Sequence, residues 1–150
     1  MKNESGRSLV EMLGVMAIGT LMSVAAVGTY QVVRDRQARA VAAEDIKSLA
    51  ENTRIIYSGR KNYAGITKGY LIKTGALKTE KIMGRDFEIS APEDGKRFSV
   101  VFEDFDAGDC AYFATKKFDW AAAVSVNGFL ADPASRCMEL NPNRVEFIME

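Results

Sequence analysis

The stretch SGRSLVEMLGV, residues 5–15, joins a short polar leader to the start of a long apolar run. One carboxylate, Glu11, lies just inside that run, and residues 12–33 carry no charged side chain. An apolar segment of about 20 residues is long enough to cross a bilayer as a helix. A lone carboxylate is costly in lipid and tends to be kept for a partner or a task. The run therefore predicts a membrane helix in which Glu11 has a function.

The glycine before the run and the glutamate inside it also indicate a family. The segment resembles the N-terminus of type IV pilins and their pseudopilin relatives, and its continuation EMLGV, residues 11–15, is most similar to the type IVb branch. The resemblance implies that a prepilin peptidase removes a leader, residues 1–6, by cutting after Gly6 and that the new amine of Arg7 is methylated. The family usually has Phe, Met or Leu where this chain has Arg7, and many relatives have proline where it has Gly28.

The same resemblance gives Glu11 a role in assembly. When apolar helices bundle in a filament, each buried Arg7 amine needs a counter-charge, and Glu11 of a neighbouring copy can supply it. Buried ion pairs stabilise little but set register well. The alternative is that Glu11 lies at the membrane edge and reaches water.

Two other kinds of targeting segment contain a similar apolar run. A secretory signal peptide has a shorter apolar core and a small-residue cleavage site, for which residues 23–25 and 25–27 could be mistaken. A plain signal anchor needs neither the preceding glycine nor the internal glutamate. Because basic residues flank the run on both sides, charge does not fix its orientation. The expected cytoplasmic N-terminus follows from the cleavage motif.

The predicted helix continues beyond the apolar run. Residues 34–57 contain no proline and no glycine, and their alanines and charged residues favour helix. One apolar stripe at three- and four-residue spacing is formed by Ala42, Ile46, Leu49, Thr53 and Ile56. The expectation is a helix over residues 7–58, with a transmembrane half at 12–33 and an amphipathic half that docks on a head.

Residues 59–150 are expected to form that head. Strands are predicted around residues 87–89, 98–102, 122–126 and 145–148, and short helices around 66–74 and 111–117. The sequence PEDG, residues 92–95, predicts a turn. The fold class is therefore α+β: one long N-terminal helix on a small antiparallel sheet, the ladle that the resemblance implies.

Composition argues against catalysis. The chain has 20 basic and 20 acidic residues, a formal net charge of zero and no histidine. The usual general base and the usual metal ligand are therefore missing, and Ser90, Ser99 and Ser125 have no plausible base. We expect no enzyme activity and no cofactor. Because no basic block stands out, nucleic-acid binding is not indicated.

Two cysteines, Cys110 and Cys137, lie outside the membrane run. In a cytosolic protein they would most often be free thiols, but a membrane-targeting segment favours an oxidising compartment and a disulfide loop over residues 110–137. Aromatic residues cluster within this loop, where they form either a contact surface of the filament or part of the core: Tyr112, Phe113, Phe118 and Trp120. Core packing is favoured for Trp120.

An acidic segment precedes the first cysteine. Asp104, Asp106 and Asp109, with Gly108, resemble a crude calcium loop, because calcium takes several oxygens from a tight turn. A solvated acidic turn is the favoured alternative, and no other metal site is expected.

The sequence is thus interpreted as a type IV prepilin, a structural filament subunit rather than a catalyst. The resemblance implies self-assembly, with prepilin peptidase, the inner-membrane assembly platform and the membrane as further partners. The precursor is expected in the bacterial inner membrane with its head in the periplasm, and the mature subunit in an extracellular pilus, whose role (adhesion, motility, DNA uptake, conjugation or secretion) the sequence leaves open. The alternatives are a type II secretion pseudopilin or minor pilin and, from other classes, a membrane-anchored periplasmic binding domain or a small extracytoplasmic enzyme.

Overall fold

The computed structural model describes residues 4–140 and 142–150, with side chains from Leu9 onward within these ranges. The chain divides into two units, Met1–Ala38 and Arg39–Glu150. Helix α1, Glu4–Tyr57, contributes to both of them. Its limits lie close to the predicted 7 and 58. The predicted leader lies outside the described residues, apart from the helical backbone of its last three.

In the first unit, α1 is alone. Every described side chain from residue 9 to residue 38 is exposed. Such a helix is apolar around its whole circumference over residues 12–33 and has no buried face of its own. Helices of that kind belong in a core or in a membrane.

In the second unit, the remainder of α1 packs against the head through one stripe. Four members of the predicted stripe are buried, as Ala42, Ile46, Leu49 and Thr53 have at most 2% of their surface exposed. Ile56 is only half-buried, and the adjacent Tyr57 takes the last buried place on the helix. The helical period of the sequence therefore predicted the docking face.

The head is built on a four-stranded antiparallel sheet. Its strands are β1, Glu88–Ser90; β2, Phe98–Phe105; β3, Ala123–Val126; and β4, Asn143–Met149. Their order across the sheet is β1-β2-β4-β3. All four predicted strands are confirmed, and β2 and β4 extend beyond their predicted limits. The α+β class is therefore confirmed.

The two central strands supply most of the core. In β4, Asn143, Val145, Phe147 and Met149 are buried while Arg144 is exposed, as the two-residue period of a strand requires. Val100 of β2 pairs with Phe147, and both have no exposed surface. Trp120 lies among these residues, with its ring centroid 5.6 Å from that of Phe147. The favoured interpretation of Trp120 as a core residue is confirmed.

Two short helices complete the head. Helix α2, Lys68–Lys73, begins where the Thr67 side chain accepts a hydrogen bond from the Tyr70 N–H at 3.2 Å. It is followed by Gly75, whose φ of +76° suits glycine and ends the helix as predicted.

Helix α3, Ala107–Thr115, begins four residues before its predicted limit. The reason is a cap at Asp106, whose carboxylate accepts a hydrogen bond from the Asp109 N–H at 2.7 Å. Cys110 is therefore inside the helix rather than in front of it, which corrects the prediction.

Candidate functional site

The first candidate site is the apolar surface of α1. Its composition and length allow α1 to cross a membrane, and none of its most apolar 18-residue window is buried. The serine and threonine hydroxyls in this segment are satisfied within the helix: Thr20 donates to the Met16 and Ala17 carbonyls, and Ser23 donates to the Gly19 carbonyl at 2.8 Å. Thr29 bonds in the same way to Ala25 and Ala26. These hydroxyls could therefore enter a dry environment without an additional partner.

Glu11 is the one carboxylate of this surface. Its residue is exposed, and it forms no ion pair with any side chain in the described part of the chain. Arg7 lies four residues earlier on α1, about 6 Å along the helix axis. The side chain of Arg7 and the environment of Gly6 lie outside the described residues, so their predicted roles stay predictions.

The glycines of the apolar run serve no packing purpose within one copy. A Cβ added at Gly14, Gly19 or Gly28 would have no neighbouring atom within 4 Å. Any benefit of these glycines therefore involves a neighbour outside the chain, or the flexibility of the helix itself.

The disulfide is formed as expected. Cys110 of α3 and Cys137 are bonded with their Cα atoms 5.8 Å apart. The chain before Cys137 makes a short 3₁₀ helix, Pro133–Arg136. The bond therefore ties the segment between β3 and β4 to α3, and in the loop-entropy model it contributes about 3 kcal/mol.

The same segment is also held in place by hydrogen bonds of one buried side chain, Asn143. Asn143 has no exposed surface, and its side-chain oxygen accepts the Met138 N–H at 2.7 Å and an Asn127 N–H at 3.1 Å. Its amide group donates to the Phe105 carbonyl at 3.3 Å and the Met138 carbonyl at 3.0 Å. The disulfide segment is thus held to both β2 and β4, a role of Asn143 that sequence reasoning missed.

The acidic segment has a different environment from either prediction. Asp109 is only 5% exposed, so it is not part of a solvated turn. One of its oxygens accepts the Arg39 Nε–H at 2.8 Å, and the other accepts an Arg85 N–H at 2.9 Å. Asp104 and Asp106 are exposed, as predicted, and Arg85 approaches both. Guanidinium groups therefore occupy the region where a calcium ion would need these carboxylates.

One glycine, Gly108, lies beside the same cluster. A Cβ at Gly108 would lie 2.8 Å from the Arg39 Nη2 atom, closer than such atoms pack. A side chain at position 108 would therefore require the end of the flexible Arg39 side chain to shift. Within the described residues, no group of three or more His, Cys, Asp or Glu side chains could hold a metal ion.

The serines considered for catalysis lie apart from any such cluster. Ser99 and Ser125 are buried in β2 and β3, and Ser90 is exposed at the end of β1. Among the described side chains, none of the three donates a hydrogen bond to a base. These three serines therefore lack, among the described side chains, the adjacent base that would activate a serine nucleophile.

Comparisons with known proteins add no relative. No family model matches this sequence, and no curated protein matches it either.

Proposed function

We propose that this chain is the precursor of a structural subunit of a type IV pilus-like filament. The observation that carries the proposal is the contrast within α1. The segment over residues 9–33 has no buried side chain, satisfies its serine and threonine hydroxyls within the helix and carries one carboxylate. The second unit meanwhile buries its own core. Such a segment needs lipid before assembly and other copies of the same segment afterwards.

The proposed order of events follows from these two environments, lipid before assembly and other copies of the segment afterwards. The precursor stays in the inner membrane with its head in the periplasm until prepilin peptidase cuts after Gly6. The new Arg7 amine is methylated, and the assembly platform packs the apolar segment into an extracellular filament. There Glu11 faces the Arg7 amine of a neighbour, which removes two unpaired charges from an apolar bundle and sets the register.

A pseudopilin or minor pilin would use the same residues in a shorter or mixed assembly. A membrane-anchored binding domain is the competitor from another class, because an anchor requires only the apolar segment. It requires neither cleavage after Gly6 nor a carboxylate at position 11. These two residues therefore decide between the proposals.

Processing is tested with Gly6→Val. A side chain at the scissile bond should block close approach by the peptidase and leave the leader attached. Intact-mass measurement on membranes should show a shortened wild-type chain and a full-length variant. Equal masses that both lack the leader would refute this cleavage site, and equal masses that both retain it would favour the anchor.

Assembly is tested with Glu11→Ala in cells that also express the wild type. The variant should insert as well as the wild type, since a desolvation cost is removed, and should still be cleaved. It should be strongly depleted from sheared filaments, because breaking a buried ion pair costs about 3–5 kcal/mol. Glu44→Ala is the matched control, an exposed glutamate of α1 in the second unit. Incorporation of Glu11→Ala at the wild-type ratio would remove the counter-charge role.

A further inference from the structure

A cleft in the head concentrates positive charge. It lies where α1 ends and the 92–95 turn approaches, and it has a volume of about 220 Å³. Four of its lining residues are cationic: Arg54, Arg60, Lys61 and Lys96. None of the residues that line it is acidic, although the chain as a whole has zero formal charge. The cleft is therefore a local site of positive potential.

Two of these cations are held in place. The Arg60 guanidinium lies over the Tyr57 and Tyr70 rings, 5.0 and 5.2 Å from their centroids, and donates to the Tyr70 hydroxyl at 3.1 Å. Arg54 donates to the main-chain oxygens of Glu150 at 2.7 Å and Trp120 at 3.0 Å. A cation that is already ordered loses less entropy when it binds an anion.

The donors of the cleft are not used up by these contacts. Within the described chain, none of its four cations pairs with the side-chain carboxylate of an Asp or Glu. Lys61 and Asn62 also line the cleft, and their main-chain N–H groups donate no hydrogen bond to any described residue. Adjacent backbone N–H groups and guanidinium groups are the donors that bind phosphate oxygens.

The nearest carboxylates do not cancel this charge. Asp94 lies on the adjacent turn, where it accepts the Lys96 main-chain N–H at 3.1 Å, and Glu93 precedes it. Both are exposed, and neither lines the cleft. Asp94 fixes the backbone of Lys96 and leaves the Lys96 ammonium group free of an ion pair.

From this geometry we propose that the cleft is a binding site for a phosphate group. The size of the cleft suits one or two phosphate groups. Arg54 and Arg60 provide fixed donors, and the exposed Lys61 and Lys96 close over the anion. This binding is separate from filament assembly through α1 and does not depend on it.

The test uses the full-length protein in detergent with inorganic pyrophosphate as the probe. Titration should shift the amide resonances of Lys61, Asn62 and Lys96 and give a saturable affinity. The double variant Lys61→Gln, Lys96→Gln should bind about tenfold more weakly, since two exposed charge interactions are removed. The matched control is Lys73→Gln with Lys117→Gln, which removes the same charge at two exposed positions away from the cleft.

Competition then identifies the source of the phosphate. Displacement of pyrophosphate by a thymidine dodecamer at the lower concentration assigns a nucleic-acid backbone. Displacement by glycerol 3-phosphate at the lower concentration assigns a lipid-type headgroup. Absence of saturable pyrophosphate binding, or equal weakening in the two double variants, would overturn the proposal.

Discussion

The two halves of α1 have the same backbone but opposite surroundings. Leu21 in the first unit is 72% exposed, whereas Leu49 in the second unit is 2% exposed. Both lie in continuous helix. What differs is that the second half finds its apolar partner within the same chain, while the first half has no such partner among the described residues.

The hydroxyls of the two halves differ in a less expected way. Thr20 in the first half donates to carbonyls of its own helix. The buried hydroxyls of Thr53 and Tyr57 in the second half have no hydrogen-bond partner in the described structure. In the exposed half, the serine and threonine hydroxyls therefore already have partners. The half that docks on the head carries two desolvated polar groups, which oppose its packing.

The largest expected effect separates the two halves directly. Leu49→Ala should lower the free energy of unfolding of the head by about 3 kcal/mol, because it leaves a cavity in a packed core. Leu21→Ala, the matched control, should leave that free energy unchanged. The measurement is denaturant unfolding in detergent, followed by the fluorescence of Trp120, the one tryptophan of the chain. Equal effects of the two substitutions would contradict the division into independent halves.

A smaller effect is expected for the ion pair between Arg39 of α1 and Asp109 of α3. Asp109→Asn keeps the size of the side chain but removes the carboxylate that Arg39 and Arg85 share. The free energy of unfolding of the head should fall by about 2 kcal/mol, since Arg39 loses its carboxylate partner and Arg85 keeps only the exposed carboxylates of Asp104 and Asp106.

The control for this loss is Asp104→Asn, which changes an exposed carboxylate of the same cluster. This substitution should lower the free energy of unfolding by less than about 0.5 kcal/mol, as is usual for exposed ion pairs. The same unfolding assay measures both variants. Similar losses in the two would show that burial of Asp109 adds nothing.

The sequence predicted those parts of the molecule that depend on local pattern. The stripe from Ala42 to Thr53 and the alternation in β4 could be read because helix and strand repeat at different periods. The start of α3 was misplaced because Asp106 was read as part of an acidic turn rather than as a helix cap.

The charge clusters could not be predicted because their members are far apart in sequence. Arg39 lies 70 residues from Asp109, and Arg85 lies 24 residues from it. The cationic cleft likewise draws residues from α1 and from the turn near Lys96, so no basic block is visible along the chain. Only the fold brings these charges together.

The smallest expected effects concern the two unpaired hydroxyls. Thr53→Val and Tyr57→Phe should each raise the free energy of unfolding by about 1 kcal/mol at pH 7, because a buried polar group without a partner is removed. The two variants should then differ at high pH. Burial raises the pKa of Tyr57 above its usual value of 10.0, and the nearby Arg60 charge only partly opposes this.

As the pH rises above about 10, the unfolded chain loses the Tyr57 proton while the folded chain keeps it, so this residue makes the wild type less stable. The decline should be shallower in Tyr57→Phe, which has no proton to lose there, and unchanged in Thr53→Val. Unfolding curves at pH 7 and pH 10.5, in the same detergent, measure both quantities. A Tyr57→Phe head that is less stable than wild type at pH 7 would mean that the hydroxyl has a partner after all. An identical alkaline decline in wild type and Tyr57→Phe would mean that Tyr57 titrates alike in the folded and unfolded chain.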